Sequence, residues 1–155
     1  QGSAFDHSAT SPNNYFKMPI LHINVKILKY LMDRKMNNRL SEEQKKILYS
    51  CGTEIPGTSE LLHEKRKGVY VTADKELPVF RSEHKFESGT GWPSFFEANH
   101  NNIILKEDKS HGMIRTEVIS KEGEHLGHVF NDGPQPTGLR YCINGLALKF
   151  IPDDE

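Results

Sequence analysis

The sequence predicts a mainly β domain built from antiparallel sheets, with helices confined to the N-terminal side. Three observations carry this. Short runs of strand-forming residues recur from Gly68 to Pro152. Turn residues separate them at Asp74-Lys75, Ser88-Gly89, Lys121-Glu122-Gly123 and Asp132-Gly133-Pro134. Only Pro93 to Ala98 offers a candidate helical stretch among the strands, so the crossover helices of a parallel α/β fold are missing.

Taken in order, residues 1–14 are polar and lack the apolar core of a signal peptide. Val25 to Met36 places Ile27, Leu28, Leu31 and Met32 at i, i+3 and i+4 spacing, which predicts a helix with one apolar face. Residues 1–39 thus read as a tail and helical extension, and residues 40–155 as the main domain. A second helix begins at Ser41. Ser41 and Gln44 form a capping box, Leu40 can act as its staple, and Gly52 is the expected C-cap after about Ser50. Residues 52–63 are turn-rich, with a helical turn expected from Ser59 to His63. Strands follow at GVYVTA, LPVFRS, KFESG, IILKE, GMIRTEVIS, LGHVFND and LRYCINGLALKFIP. Period-two alternation puts Tyr141 and Ile143 on one face and Arg140, Cys142 and Asn144 on the other.

Charge is nearly balanced, with 20 basic and 21 acidic residues and a net charge of −1. That balance argues against nucleic acid or an anionic membrane as the main partner. No apolar run approaches the roughly 18 residues of a membrane-spanning helix. The two cysteines, Cys51 and Cys142, are too few for a disulfide scaffold or a cysteine-built zinc site.

Chemistry concentrates in a few residues. Cys142 shares a strand face with Arg140, whose cation is expected to lower the thiol pKa and enrich the reactive thiolate. His125 and His128, at i and i+3, suit acid–base work if they converge on Cys142. No cysteine accompanies them as a further metal ligand, so a metal-dependent HxxH enzyme is the weaker reading. Trp92 lies in a glycine-flanked loop and, with Phe95 or Phe96, can cradle a methyl or thioether group. Phe130 is a further candidate wall of that pocket. The loop carrying Asn131 and Asp132 turns the histidine strand back onto the Cys142 strand.

The motifs LSEEQ, CGTEIPGTSELL, KGVYV, KFESGTGWPSF and HLGHVFNDGPQPTGLRYCIN, spanning about Leu40 to Pro152, together resemble the B-type methionine sulfoxide reductases. These enzymes reduce the R epimer of methionine sulfoxide. The resemblance implies two coiled antiparallel sheets in a β-tent. It also implies that Cys142 attacks the sulfoxide sulfur, that His125, His128 and Asn144 surround the departing oxygen, and that Trp92 receives the substrate methyl. Arg140 and Asp132 match residues that shape charge around the thiol. The resulting sulfenic acid must be reset. Many relatives hold a resolving cysteine where this chain has Thr90, so the resemblance leaves Cys51 as the resolving thiol, forming a disulfide with Cys142 that thioredoxin reduces. Many also bind structural zinc through two CxxC pairs. Here the matching positions are Thr72, Lys75, Ile119 and Glu122, so no structural zinc and no cofactor are expected, with packing and salt bridges in place of the metal. A monomer in a reducing cytoplasm fits a transient catalytic disulfide, with a secreted or periplasmic setting left open. The competing reading is a domain of this fold that binds oxidised methionine without turning it over. The joint presence of Cys142, His125, His128 and Asn144 favours catalysis.

Overall fold

The computed structural model describes residues 40–153. The helix expected from Val25 to Met36 lies outside the described residues.

The first element is helix α1, Glu42–Ser50. Its capping box forms as expected: Ser41 Oγ accepts from the Gln44 N–H at 3.1 Å, and Gln44 Oε1 accepts from the Ser41 N–H at 3.0 Å. Ile47 and Leu48 pack into the core. The helix end differs from expectation. Cys51, not Gly52, takes the left-handed conformation, with φ 51°. Gly52 is needed for a different reason. Its N–H reaches back to the Lys46 carbonyl at 3.2 Å. A Cβ there would lie 3.0 Å from that oxygen and 3.1 Å from Ile47 Cα. Holding a non-glycine residue in left-handed backbone costs on the order of 1 kcal/mol. A single helical turn, Glu60–His63, follows where one was expected, with Ser59 as its N-cap rather than its first residue.

Among the described residues, nine strands make two antiparallel sheets, the arrangement that the resemblance implied. The smaller sheet holds β1 (Gly68–Thr72), β2 (Pro78–Arg81) and β9 (Leu148–Pro152) in the order β2-β1-β9. The larger holds β3 (Lys85–Phe86), β4 (Ser94–Phe95), β5 (Ile103–Asp108), β6 (Arg115–Ser120), β7 (His125–Phe130) and β8 (Arg140–Ile143), in the order β3-β4-β8-β7-β6-β5. The long run LRYCINGLALKFIP is split. A short turn at Gly145–Ala147 ends β8 in one sheet and starts β9 in the other. The candidate helix from Pro93 to Ala98 is a strand instead. Ser94 and Phe95 pair with Cys142 and Tyr141 on one side and with Phe86 and Lys85 on the other, so ladder bonds override local propensity.

The core is aromatic. Tyr70, Phe80, Phe95 and Tyr141 are at most 2% exposed, and Phe80 stacks on Phe95 at 4.4 Å. Phe95 was a candidate pocket wall. Its ring is committed to this core, because its neighbour Ser94 takes the opposite face of the two-residue strand.

The turns after β1 and β6 are where the resemblance would put zinc, and their residues do not fit it. Thr72 is wholly buried and its hydroxyl accepts from the Leu77 N–H at 3.2 Å. Ile119 offers no ligand atom. A carboxylate joins the two turns. Buried Glu124 accepts from the Asp74 and Lys75 N–H groups at 3.2 Å each, and from the Ser120 hydroxyl at 2.8 Å.

Candidate active site

Cys142 sits on β8, flanked by β4 and β7, where it faces Ser94 and His128 across the two ladders. The predicted alternation holds. Tyr141 and Ile143 are fully buried, while Arg140 and Cys142 face the other way and remain partly accessible. Cys142 opens into a cleft of 130 Å³ whose walls include Trp92, His128, Phe130, Asn144, Thr53 and Arg115. Gly127 forms part of its floor. A Cβ at that position would stand 2.1 Å from the Cys142 carbonyl oxygen, so only glycine lets β7 lie this close to β8.

Two residues three apart on a regular strand point to opposite faces. His125 and His128 nevertheless share one side, with ring centroids 5.6 Å apart. The reason lies in the β6–β7 register. Val118 pairs with Gly127 and Ile119 with His125, which leaves Leu126 as an extra residue in a bulge. The bulge turns His125 back toward its partner.

Each imidazole is backed by a carboxylate. His125 Nδ1 lies 2.6 Å from Glu117 Oε1, and both side chains are buried. His128 Nε2 lies 2.8 Å from Asp108 Oδ2. Asp108 also accepts from the Ser110 N–H at 2.8 Å and from Arg115 at 2.8 Å. The Ser110 contacts and His128 hold its carboxyl far below the usual carboxylate range. Asp108 is therefore the anion and His128 Nε2 the donor. Burial pushes the His128 pKa down, against the pull of Asp108, and Arg115 and His125 add to the depression. The imidazole is neutral at neutral pH, with Nδ1 left as the acceptor.

Burial also pushes the Cys142 thiol up. Thr90 Oγ1, at 3.9 Å, and Arg140 pull it down without overcoming desolvation. The expectation that Arg140 leaves a depressed thiol pKa is therefore corrected. Part of the reason is that Arg140 is already spoken for. Its guanidinium makes a forked pair with Asp132 at 2.9 Å on both arms and lies 4.5 Å over the Phe130 ring.

Thr53 contributes to the cleft rim from the segment that follows α1. Asn144, 4% exposed, clamps this segment. Its Oδ1 accepts from the Glu54 N–H at 3.0 Å, and its Nδ2 donates to the Leu126 carbonyl at 3.1 Å. The Glu54 carboxylate accepts from the Gly145 and Leu146 N–H groups at 2.6 and 2.9 Å. Its backbone carbonyl takes the Trp92 indole N–H at 3.2 Å, which fixes the ring at the cleft wall. Cys51 precedes this rim. The residue is exposed, but its Sγ turns to a part-buried contact 3.6 Å from Glu117 Oε1. Burial and that carboxylate push its pKa up. Both cysteines are free thiols.

Thus Cys142, His128, Asn144, Trp92 and Phe130 line one cleft. His125 packs against His128, Arg140 lies over Phe130 and pairs with Asp132, Cys51 sits beside Glu117, and Phe95 belongs to the core. Sequence reasoning missed Glu117, Asp108, Arg115 and Glu54. A signal for two of them was present. Arg115 and Glu117 are two charges at period-two spacing on one face of a strand, an expensive arrangement unless they have partners.

Comparison with known proteins places the chain in a family. The SelR domain matches residues 40–152. A peptide methionine sulfoxide reductase MsrB of Leptospira interrogans is 51% identical over 120 residues, covering 76% of this chain and 92% of the relative. Proteins of the same name from Alteromonas mediterranea and Methanosarcina barkeri are 49% and 50% identical, covering 74% and 75% of this chain and 82% and 83% of themselves. With most of its length matched and half of the matched residues identical, the chain belongs to the SelR-domain family.

Proposed function

We propose that this chain is a peptide methionine sulfoxide reductase acting on the R epimer, through a Cys142 sulfenic acid and a disulfide with Cys51 that thioredoxin reduces. The observation that carries the reading is the placing of a half-buried thiol in a small cleft, between an indole wall and a carboxylate-backed imidazole.

Trp92 and Phe130 hold the substrate methyl and thioether carbons against aromatic surface, where sulfur groups gain contact energy. The raised thiol pKa makes His128 the base. The Cys142 proton passes to the free Nδ1 of the neutral imidazole, and the thiolate attacks the sulfoxide sulfur. The imidazolium then returns the proton to the sulfoxide oxygen. The hydroxyl then passes from the substrate sulfur to the Cys142 sulfur: the substrate S–O bond and the new S–S bond break, a Cys142 S–O bond forms as a sulfenic acid, and methionine leaves with the freed lone pair. The net step is thiol plus sulfoxide giving sulfenic acid plus thioether, with sulfoxide sulfur reduced by two electrons and cysteine sulfur oxidised by two. Cys51 attacks that sulfur, water departs, and a disulfide remains for thioredoxin. No metal or organic cofactor enters the cycle. The protein acts as a monomer, and the cycle suits a reducing cytoplasm. Among the described residues no helix is long and apolar enough to cross a membrane.

The test is turnover on both epimers of a methionine sulfoxide peptide. The wild type reduces the R epimer alone, and Cys142→Ser is inactive. Cys51→Ser makes one equivalent of methionine and then stalls with thioredoxin. Sustained thioredoxin-driven cycling by Cys51→Ser removes Cys51 from the scheme.

A further inference from the structure

Cys51, Glu117 and His125 make a donor set of their own, beside the cleft rather than in it. One ligand atom from each lies within 4.8 Å of the others. Cys51 Sγ is 3.6 Å from Glu117 Oε1, and His125 Nδ1 is 2.6 Å from the same oxygen. A tetrahedral ion bound at about 2.3 Å to sulfur and about 2.0 Å to nitrogen and oxygen holds its ligand atoms roughly 3.3–3.7 Å apart. The sulfur–oxygen distance already falls there. The His125–Glu117 contact has to open by less than about 1 Å, and the Cys51–His125 pair, within 4.8 Å, has to settle into the same range.

Two of the donors are fixed and one is open to solvent. Glu117 and His125 are 9% and 4% exposed and stand on the adjacent strands β6 and β7. Cys51 is exposed at the end of α1, which leaves an entry path and room for a water ligand. Thiolate, imidazole and carboxylate together suit a borderline-soft divalent cation. We propose that the reduced protein binds one divalent cation of the zinc class through Cys51 Sγ, a Glu117 carboxylate oxygen and His125 Nδ1.

The proton balance is simple. The cation displaces the thiol proton that Cys51 shares with Glu117, and that proton goes to solvent. The His125 proton moves from Nδ1 to Nε2, and no electron is transferred. Affinity therefore rises with pH as the Cys51 thiol gives way. Asp108 and Lys106 of β5 are the other charged groups facing that thiol, and they pull in opposite directions. The site is separate from the turns at residues 72–75 and 119–122. Its consequence for the enzyme rests on the proposed resolving role of Cys51. A cation-bound thiolate is withheld from the sulfenic acid, and a cysteine already in a disulfide no longer binds the ion.

The binding itself is tested without substrate or thioredoxin, so its outcome is independent of the turnover scheme. Reduced, metal-free protein is titrated with cobalt(II), and the thiolate-to-cobalt charge-transfer absorption is followed, with zinc displacing the cobalt. Wild type and Cys142→Ser are expected to bind one cobalt with that absorption. Cys51→Ser loses it, and Glu117→Gln weakens binding roughly tenfold or more. No charge-transfer absorption in the wild type, its persistence in Cys51→Ser, its loss in Cys142→Ser, or unchanged affinity in Glu117→Gln would each overturn the proposal.

Discussion

The Glu117 carboxylate is hydrogen-bonded to His125, although the residue it faces across the β6–β7 ladder is His128. The displacement follows from the bulge at Leu126, which brings His125 within 2.6 Å of a side chain that a regular ladder would aim elsewhere. Glu117 thereby fixes the orientation of an imidazole it does not face.

Replacing that carboxylate isolates its contribution. General acid–base groups contribute roughly 10²–10⁴-fold to rate, and loss of orientation forfeits part of that. Glu117→Gln is expected to lower kcat about tenfold, with little change in KM for a methionine sulfoxide peptide. Steady-state kinetics with a fixed reductant separate the two constants. A rise in KM with kcat intact would place Glu117 in substrate binding instead.

The reactivity of Cys142 tests the balance between burial and charge. Burial dominates, so in Cys51→Ser the rate of iodoacetamide alkylation should climb with pH and reach its midpoint above the ordinary thiol value. Arg140 opposes burial, so adding Arg140→Leu moves the midpoint higher still. The same charge change would lower the midpoint if Arg140 acted only by crowding the thiol. Alkylation rates across a pH series read both variants.

Glu124 joins two turns through three hydrogen bonds to a fully buried carboxylate. Hydrogen bonds to charged groups contribute about 1.5–3 kcal/mol each, and they do not add in full. Glu124→Ala should cost on the order of 3 kcal/mol, seen as a lower urea midpoint with an unchanged slope. Glu124→Asp, one methylene shorter, should lose less. An unchanged midpoint in Glu124→Ala would mean the turns are held by packing alone.

The sequence revealed what depends on local spacing and hid what depends on register. The capping box at Ser41 and Gln44 is an i, i+3 pattern, and it forms as read. The alternation around Cys142 is likewise intrinsic to a strand, and it sorted Tyr141 and Ile143 from Arg140 and Cys142. The convergence of His125 and His128 needs a bulge whose position is set by β6, so spacing within β7 alone argues against it. Phe95 shows the same limit. Next to Trp92 it reads as pocket wall, and only the pairing of β4 with β8 sends it into the core. The thiol pKa depends on depth as well as on neighbours. Arg140 was visible in the sequence and the desolvation of Cys142 was not.

Gly127 bears on how this cleft can drift under mutation. Any side chain there meets the Cys142 carbonyl and wedges apart the strands that carry nucleophile and base, so the floor is closed to single-step change. Thr90, touching Cys142 from a loop between two glycines of positive φ, is under no such constraint. Variation in how the sulfur is serviced can accumulate along the rim, while the distance between the two reacting strands stays locked by a missing methyl group.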